Sequence, residues 1–532
     1  MISSSHDTGG HSVADISGKL TVAALGLVLT IAGSPAAWAQ QPALPATPEG
    51  AAPATSAASG DADQPTAAPP APDLSARVGE AEQTARIAVR RVEILEEQIA
   101  AKAQEKEAAA KDAATVTAGE KGFGLRSGDG AFVLKFHGLL QADTRWFLND
   151  GALSDKSDTF LIRRMRPGID GTLFGLVDFK FSPDFAGSTA AVFDAYVDAH
   201  PFAWLRLRGG KFKAPLGLER LQQDADLVFI ERALTQNLTP QRDVGAALGG
   251  EIANAVVTYS LGVYNGAADG TNPDLDTNHA KDFVGRLLIQ PFKVEGLEGF
   301  GSLGVHFAAS TGNRFGTPTN TLLPSFKSGG QNTFFSYLAP AASADPTGSG
   351  TPFAHLRQSR INPGLFYYFG PFGVLGEYVW SKQEVQKGNT TANLTQQAGH
   401  ATASFVIGGK AGYDGATPTN RLDLAKGTWG ALEIGIRWNY LKLDNATFDP
   451  TGAVFADNKK VATKAQGLAG ALTYVPSRTV RFAVNFEQTR FTGGSSVSTS
   501  TVDPTTNVKT TTTTVVDRKT ENALFGRMQV NF

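Results

Sequence analysis

Two kinds of hydrophobic spacing divide the chain. Between Leu74 and Ile99 apolar residues recur at intervals of four and three, whereas from Ala131 to Phe532 they alternate with polar ones. Intervals of three and four place side chains along one stripe of an α-helix, and strict alternation places them on one face of a β-strand. The pattern therefore predicts an N-terminal helix followed by a long all-β region.

Each alternating segment has one apolar face and one polar face. In residues 431–440 the polar series includes Glu433 and Arg437, and the apolar series consists of Leu432, Ile434, Ile436, Trp438 and Tyr440. A soluble sandwich would bury such an apolar face against a second sheet. A transmembrane barrel would turn it towards lipid and leave the polar face in a wet lumen.

The connections favour the barrel. Very short ones, such as Pro476-Ser477, alternate with long polar ones, such as residues 312–351, and the last alternating segment ends on Phe532. Outer-membrane barrels have short periplasmic turns and long external loops. About sixteen segments can be counted, of which the twelfth, at 400–408, has the weakest pattern. We predict a sixteen-stranded antiparallel transmembrane β-barrel, wide enough for an aqueous channel, with both ends of the chain on the periplasmic side.

Four regions follow from these patterns. Residues 1–39 resemble a secretory signal peptide, with an apolar run after Lys19 and small residues at Ala37 and Ala39. Residues 40–72 are rich in Ala and Pro and predict a disordered tether. Residues 73–118 carry a heptad seam and predict a coiled-coil helix in the periplasm, with a single helix lying on a partner as the alternative. Residues 122–532 form the predicted barrel.

Composition narrows the possible chemistry. The 532 residues include no Cys and only 8 scattered His, and the formal net charge is -2. The lack of Cys excludes disulfides, thiolate metal sites and a cysteine nucleophile. The sequence contains neither a paired-histidine metal motif nor a glycine-rich phosphate loop between a strand and a helix. We therefore expect no catalytic activity, no cofactor, no metal and no nucleic-acid partner, while the net charge decides nothing about small ions.

One long insertion interrupts the β pattern at residues 209–243. It is longer than an ordinary hairpin connection and mixes acids with Lys211, Lys213, Arg220, Arg232 and Arg242. Apolar residues within it recur at three- and four-residue intervals, which predicts a short helical turn. In a closed barrel, this insertion is expected to fold inward and narrow the lumen.

Several motifs before residue 270 resemble one known family. They are FLIRRMRPGIDG at 160–171, FDAYVD at 193–198 and GKFKAPLGLE at 210–219, followed by Glu231 and Arg232. In this order and spacing they resemble the phosphate-selective porin O and P family. The resemblance implies a homotrimer of sixteen-stranded anion channels, each narrowed by inward segments, here 209–243, 312–351 and 409–427. It also implies an anion site of lysines on these segments, for which Lys327 and Lys410 are isolated candidates beside Lys211 and Lys213.

Strand alternation nominates residues of the lumen independently of the family. Leu161 and Met165 on the lipid face place Arg164 and Arg166 inside, and Arg163 outside. With the insertion, the candidate anion-binding and pore-lining residues are Arg164, Arg166, Arg206, Arg208, Lys211, Lys213, Arg220, Arg232, Arg242 and Arg286. The alternative for each arginine is a salt bridge across the wall to lumen acids such as Asp198.

These features together predict a passive, anion-selective porin for phosphate or other small anions in the outer membrane of a Gram-negative-type bacterium. The expected partners are two further copies of the chain, membrane lipid and small anions. Peptidoglycan is a candidate partner of the N-terminal arm, which consists of the tether and the coiled coil, residues 40–118. The alternative is a general porin, or a structural barrel whose coiled-coil arm anchors the envelope.

Overall fold

A computed structural model describes residues 73–119, 122–148, 158–187, 189–276, 279–293, 299–300, 302–339 and 350–532. The predicted signal peptide and tether, 1–39 and 40–72, lie outside the described residues. None of the helices in these ranges is long and apolar enough to cross a membrane.

The N-terminal helix, α1, runs from Leu74 to Asp112. Its heptad seam is open to solvent, with Leu74 and Ile99 among the exposed apolar side chains. The sequence predicts a helix as far as residue 118, but the helix ends six residues earlier. The next residues, Thr115–Gly119, form a strand instead, which agrees with the strand preference of their β-branched side chains.

Strands account for most of the remaining chain. Numbered in chain order, they are β1 (Thr115–Gly119), β2 (Gly122–Arg126), β3 (Val133–Phe147), β4 (Thr159–Leu173), β5 (Val177–Asp184), β6 (Ala191–Phe202), β7 (Leu205–Phe212), β8 (Asp243–Ile252), β9 (Val257–Tyr264), β10 (Asp282–Ile289), β11 (Gly304–Phe315), β12 (Phe326–Lys327), β13 (Thr333–Phe335), β14 (Phe353–Phe369), β15 (Phe372–Lys387), β16 (Thr390–Ile407), β17 (Gly409–Lys410), β18 (Thr417–Pro418), β19 (Ala431–Lys442), β20 (Ala462–Val475), β21 (Val480–Val502), β22 (Lys509–Asp517) and β23 (Glu521–Asn531). Within the long connections, α2 (Leu218–Leu221) and two 3₁₀ turns, Leu234–Leu238 and Asn445–Phe448, are helical.

Sixteen of the described strands form a closed antiparallel ring, as predicted. They are β3 to β11, β14 to β16, β19 to β21 and β23, each paired with its neighbour, and β23 pairs back onto β3 through Gln529 and Gln141. The β1–β2 hairpin pairs with the first residues of β3, beyond the end of β23, where Phe123 pairs with Phe136. Closure leaves no open sheet edge in the ring, which a strand-based structure in lipid requires.

The two faces of the ring differ in the way that the alternation predicts. On β19, Ile436 is 58% exposed on the outside, whereas its neighbour Arg437 is 1% exposed on the inside. Aromatic rings gather at the short turns, where Phe202 stacks on Trp204 with ring centroids 5.3 Å apart. Such rings are typical of the membrane interface.

Two β-bulges change the direction of side chains that alternation alone assigns to the lipid face. Between β3 and β4 the register passes from Gln141–Arg164 to Ala142–Ile162, so that Arg163 is an extra residue. Between β5 and β6 it passes from Ser182–Asp194 to Pro183–Val192, so that Phe193 is extra. A bulge breaks the regular alternation and can redirect the side chain it adds.

One side of the lumen is packed with apolar side chains. The segment that carries β12 and β13 and the turn Leu234–Leu238 pack against the inner faces of β15, β16, β19, β20 and β21. The buried members of this apolar cluster include Leu234, Leu238, Phe326, Phe334, Phe335, Val379, Leu441 and Phe491. Residues 340–349 of the second predicted inward segment lie outside the described part of the chain.

Replacing Ile436 with Lys tests the lipid-facing assignment. A cation near the middle of β19 would face hydrocarbon, so the free energy of unfolding from lipid vesicles should fall by about 2–4 kcal/mol. The matched control is Val497→Lys, because Val497 is similarly exposed, at 54%, but lies in the β21–β22 hairpin beyond the ring. Urea titration followed by tryptophan fluorescence measures both. Equal stability of the two variants would contradict the assignment.

Candidate functional site

The connection between β7 and β8, residues 213–242 and here called the inward loop, lies inside the barrel. Its apolar residues Leu216, Leu218 and Leu238 are completely buried. It contacts β4 through Asp224 and β15 through the backbone amide of Leu218. These two strands are seven positions apart, by the shorter way, around the ring of sixteen, so the loop crosses the lumen from one wall to the other.

Glu231 fixes the inward loop to β3 and β4. Its carboxylate accepts hydrogen bonds from Arg145 Nη2 at 2.8 Å and from Arg163 Nε at 2.8 Å. The prediction that Arg163 faces lipid is therefore wrong. The bulge in β4 adds Arg163 to the strand and turns its guanidinium inward, where a buried carboxylate neutralises it.

Asp224 makes a second connection to the same wall. It pairs with Arg166 and, at 3.4 Å, with Arg164 on β4, and at 2.8 Å with Arg232 of its own loop. Burial alone would raise the pKa of Asp224, yet the guanidinium groups, Arg164 first, hold it well below the usual range. Asp224 therefore remains ionised and binds three cations together.

Glu377 on β15 holds the opposite end of the inward loop. Its carboxylate accepts from the backbone amide of Leu218 at 2.6 Å and from Thr235 Oγ1 at 3.0 Å. Asn362 on β14 donates to Glu377 and accepts from the backbone amide of Gly217, each at 2.9 Å. These bonds satisfy buried amides at the start of α2, which would otherwise lack partners.

Arg437 on β19 supports the loop from the third side. Its guanidinium donates to the carbonyl oxygen of Glu231 at 2.8 Å and pairs with Glu487 at 3.0 Å and Glu219 at 3.6 Å. It also lies 4.3 Å from the ring centroid of Phe229. The side chain is fully buried, and these two acids lie close enough to balance its charge.

The ten basic residues nominated from the sequence divide according to their partners. Seven are paired with carboxylates, namely Arg164, Arg166, Arg206, Arg208, Lys211, Arg232 and Arg242. Lys213, Arg220 and Arg286 form no ion pair with any of the described residues. The salt bridges that the sequence offered as the alternative are therefore present for most of them, while anion binding by the ten residues stays a prediction.

Six of these residues gather where the inward loop meets β4, β6 and β8. This basic cluster consists of Arg164, Arg166, Lys213, Arg220, Arg232 and Arg242. Only Asp184, Asp194 and Asp224 pair with its members among the described residues. Six cations against three carboxylates leave an excess of three positive charges when all are ionised.

Lys213 and Arg220 are held by backbone carbonyl groups instead of acids. Lys213 Nζ donates to the carbonyl oxygen of Gln222 at 2.6 Å, and Arg220 Nη2 donates to that of Gln236 at 2.8 Å. Burial, reinforced by nearby Arg232, lowers the pKa of Lys213 well below its ordinary value and that of Arg220 to about 9. Both groups would thus gain from an additional negative partner.

A second, more open group of cations lies on β7. Arg206 and Arg208 both reach Asp198, at 2.9 Å and 2.5 Å, and their side chains are 39% and 34% exposed. Arg208 also stacks over Tyr196, 4.3 Å from the ring centroid. These arginines combine an ion pair with contact to the solvent of the lumen.

Comparison with known proteins identifies the family. The profile of phosphate-selective porin O and P matches residues 134–532. The chain belongs to this porin family. It is therefore an outer-membrane channel protein, as the alternating strands predict.

Several solved structures have a similar overall form. An anion-selective porin from Comamonas acidovorans is 12% identical, with 75% of this chain and 100% of that chain covered and a TM-score of 0.45. The outer-membrane channel DcaP of Acinetobacter baumannii is 10% identical, with 76% and 99% covered and a TM-score of 0.45. The outer-membrane OmpT of Vibrio cholerae is 12% identical, with 76% and 98% covered and a TM-score of 0.44. Among curated protein sequences none matches.

The sequence left the anchoring residues of this porin without a role. Asp224 is the acid at the centre of the basic insertion, and its position among cations is the signal that could have identified it. Glu377 faces the lumen by alternation, but nothing local indicates that it binds backbone amides 159 residues away. Lys327 and Lys410 are exposed and do not join the basic cluster.

One set of buried side chains has the composition of a metal site. Potential ligand atoms of Glu219, Glu377 and His400 lie within 4.8 Å of one another. However, the carboxylate of Glu377 already accepts from Leu218, Asn362 and Thr235. A cation would have to displace these bonds, so we assign the set to anchoring of the inward loop.

Replacing Glu231 with Gln tests the anchoring role. The change leaves the largely buried side chains of Arg145 and Arg163, which are 12% and 27% exposed, without a counter-charge, so the free energy of unfolding should fall by about 3 kcal/mol. Release of the inward loop should also increase fluctuations of single-channel current. The matched control is Asp423→Asn, because Asp423 pairs with Lys426, whose side chain is 77% exposed and stays hydrated without its partner, and this change should cost less than about 1 kcal/mol. Equal losses in the two variants would contradict the role.

Proposed function

We propose that this porin is a passive channel selective for small anions, with phosphate as the leading candidate. The observation that carries the proposal is the positive excess of the basic cluster at the point where the inward loop crosses the lumen. A charged constriction with low-dielectric walls raises the local concentration of ions of the opposite sign. Conduction also requires that these ions leave again.

The partners of the cluster suit weak, reversible binding. Arginine stays charged and offers paired donors that match the oxygens of a tetrahedral anion. Lys213 and Arg220 bind only carbonyl and hydroxyl oxygens among the described residues, so an arriving anion would supply the charge that they lack. The three carboxylates of the cluster remain in place and limit the affinity.

The choice of phosphate rests on chemistry and on the family. The family is described as phosphate-selective, and the Comamonas protein is described as an anion-selective porin. The basic cluster is dominated by arginines, with Lys213 as its single lysine. We therefore propose oxyanions in general as the substrate class and phosphate as the first member to test.

We also propose that the porin is a homotrimer whose N-terminal arm lies in the periplasm. An even number of strands brings β3 and the end of β23 to the same end of the barrel. The exposed seam of α1 has the spacing of a coiled coil, which three neighbouring copies could bury. Residues 1–39 would be removed on export, and residues 40–72 would be a tether for which peptidoglycan is a candidate partner.

The exposed seam also favours a second function, that of a barrel that anchors the envelope through its arm. In this case the pore would be a general one, with little preference for the sign of an ion. Ion selectivity distinguishes the two proposals, because anchoring requires none.

The first test replaces Lys213 and Arg220 together with Gln. Reversal potentials in planar bilayers across a KCl gradient should change from anion selectivity towards neutrality, and the phosphate concentration that half-blocks the current should rise at least about tenfold. The control is Lys410→Gln, because Lys410 is exposed and outside the basic cluster. A native channel without anion preference would overturn the proposal and favour the general porin.

The second test uses pH. Burial raises the pKa of Asp226 to about 6, although Arg481 at 3.6 Å opposes this and nearby Asp414 adds to it. Asp226 is thus largely neutral at pH 5 and negative at pH 7, so the anion-to-cation permeability ratio should fall as pH rises through about 6. Asp226→Asn should remove this part of the change, and Asp503→Asn in the exposed hairpin should not. If the permeability ratio of Asp226→Asn varied with pH as it does in the native channel, Asp226 would not be the group responsible.

The third test concerns the arm. Leu95→Asp places a charge in the proposed coiled-coil seam and should lower the temperature at which the oligomer dissociates on native gels. The control is Ile94→Asp, because Ile94 is a similarly exposed apolar residue that lies off the seam. Equal dissociation temperatures in the two variants would show that the seam is not used.

A further inference from the structure

A phenylalanine ring lies between two arginines of the basic cluster. The ring centroid of Phe193 is 3.5 Å from Cζ of Arg166 and 3.8 Å from Cζ of Arg242. The sum of these distances, 7.3 Å, is the largest possible separation of the two guanidinium carbons. One buried ring on β6 thus contacts a cation from β4 and a cation from the end of the inward loop.

The bulge between β5 and β6 accounts for the position of this ring. Regular alternation would place Phe193 with Val197, which is 53% exposed on the outer face. Because the pairing with β5 passes over Phe193, the strand gains one residue and the ring turns into the lumen, where it is 6% exposed. A bulge gives up regular pairing, and here it brings an aromatic ring to two charges.

Each of the two arginines also has a carboxylate partner of its own. Arg166 pairs with Asp184 at 2.6 Å, and Arg242 pairs with Asp194 at 3.3 Å. The face of an aromatic ring attracts a cation through its quadrupole but carries no formal charge. Phe193 therefore contacts both guanidinium groups without changing the positive excess of the cluster. A further carboxylate at this position would reduce that excess.

We propose that Phe193 is a positioning residue of the anion path. It keeps Arg166 and Arg242 within 7.3 Å of each other without cancelling their charge, so that both can attract the same passing oxyanion. A tetrahedral oxyanion has several acceptor oxygens, and two guanidinium groups at this separation can donate hydrogen bonds to different oxygens. This inference rests on the proposed anion selectivity and names a residue that determines it.

The experiment compares the native channel with Phe193→Leu and with 3,4,5-trifluorophenylalanine at position 193. Leucine keeps an apolar side chain but has no ring face, and fluorination keeps the shape of the ring while weakening its quadrupole. The anion-to-cation permeability ratio should fall at least about threefold in Phe193→Leu and by an intermediate amount in the fluorinated protein. The phosphate concentration that half-blocks the current should rise in the same order.

Phe147→Leu is the matched control. Phe147 is also a buried aromatic residue on the inner wall, and no cation lies over its ring among the described residues. Its replacement should leave both measurements within twofold of the native channel. Heat-modifiable migration on gels shows which variants are folded, and the fluorinated protein provides the test if Phe193→Leu does not fold.

Three outcomes would overturn the inference. An anion-selective native channel whose selectivity is unaffected by both changes at position 193 would remove the role of Phe193 and leave the proposed function intact. Equal losses in Phe193→Leu and Phe147→Leu would mean that general packing is responsible. A native channel without anion preference would remove the proposed function and this inference with it.

Discussion

The interior of the barrel depends on reciprocal ion pairs and hydrogen bonds between the inward loop and the barrel wall. The loop brings a long stretch of irregular backbone into a region where every polar group needs a partner. Its carboxylates at Asp224 and Glu231 pair with wall arginines, while Glu377 and Arg437 of the wall bind loop amides and carbonyl groups. Because loop and wall each supply both signs, moving the loop would leave buried charges without partners on both sides.

With the inward loop held in this way, one side of the lumen is apolar and the other is basic. Apolar packing of the Leu234–Leu238 turn and of β12 and β13 occupies the side of β15 to β21. The basic cluster and the half-exposed Arg206 and Arg208 lie along β4 to β8. A hydrated ion gains nothing from the apolar side, so its path is expected along the polar one. The inward loop thus narrows the lumen and also confines the expected ion path to its polar side.

Much of this architecture could be predicted from the sequence, because lipid demands an apolar residue at every second position of a strand that crosses it. The sixteen strands follow from that demand, and so does the inner position of Arg437. The same demand ends where a strand leaves the membrane. The twelfth strand was therefore predicted at 400–408 but extends over Thr390–Ile407, since its first residues are mostly polar on both faces.

The bulges at Arg163 and Phe193 could not be predicted, because a bulge arises from the pairing of two strands and leaves no periodic signal in either one. The partners of the basic residues were equally hidden. Alternation places an arginine inside the barrel, but the acid, carbonyl group or ring that it meets depends on the course of a loop distant in sequence. For this reason the sequence could nominate ten cations but could not separate the seven with carboxylate partners from the other three.

That separation carries the functional argument. A carboxylate beside a buried cation stabilises it and also cancels the charge that would attract an anion. Backbone carbonyl groups at Lys213 and Arg220, and the ring of Phe193 beside Arg166 and Arg242, stabilise cations without adding a formal negative charge. In such an interior, carboxylates determine how firmly the loop is held, and neutral partners determine how much positive charge remains for a passing ion. Stability and selectivity can then change independently, provided that the two kinds of partner belong to different side chains.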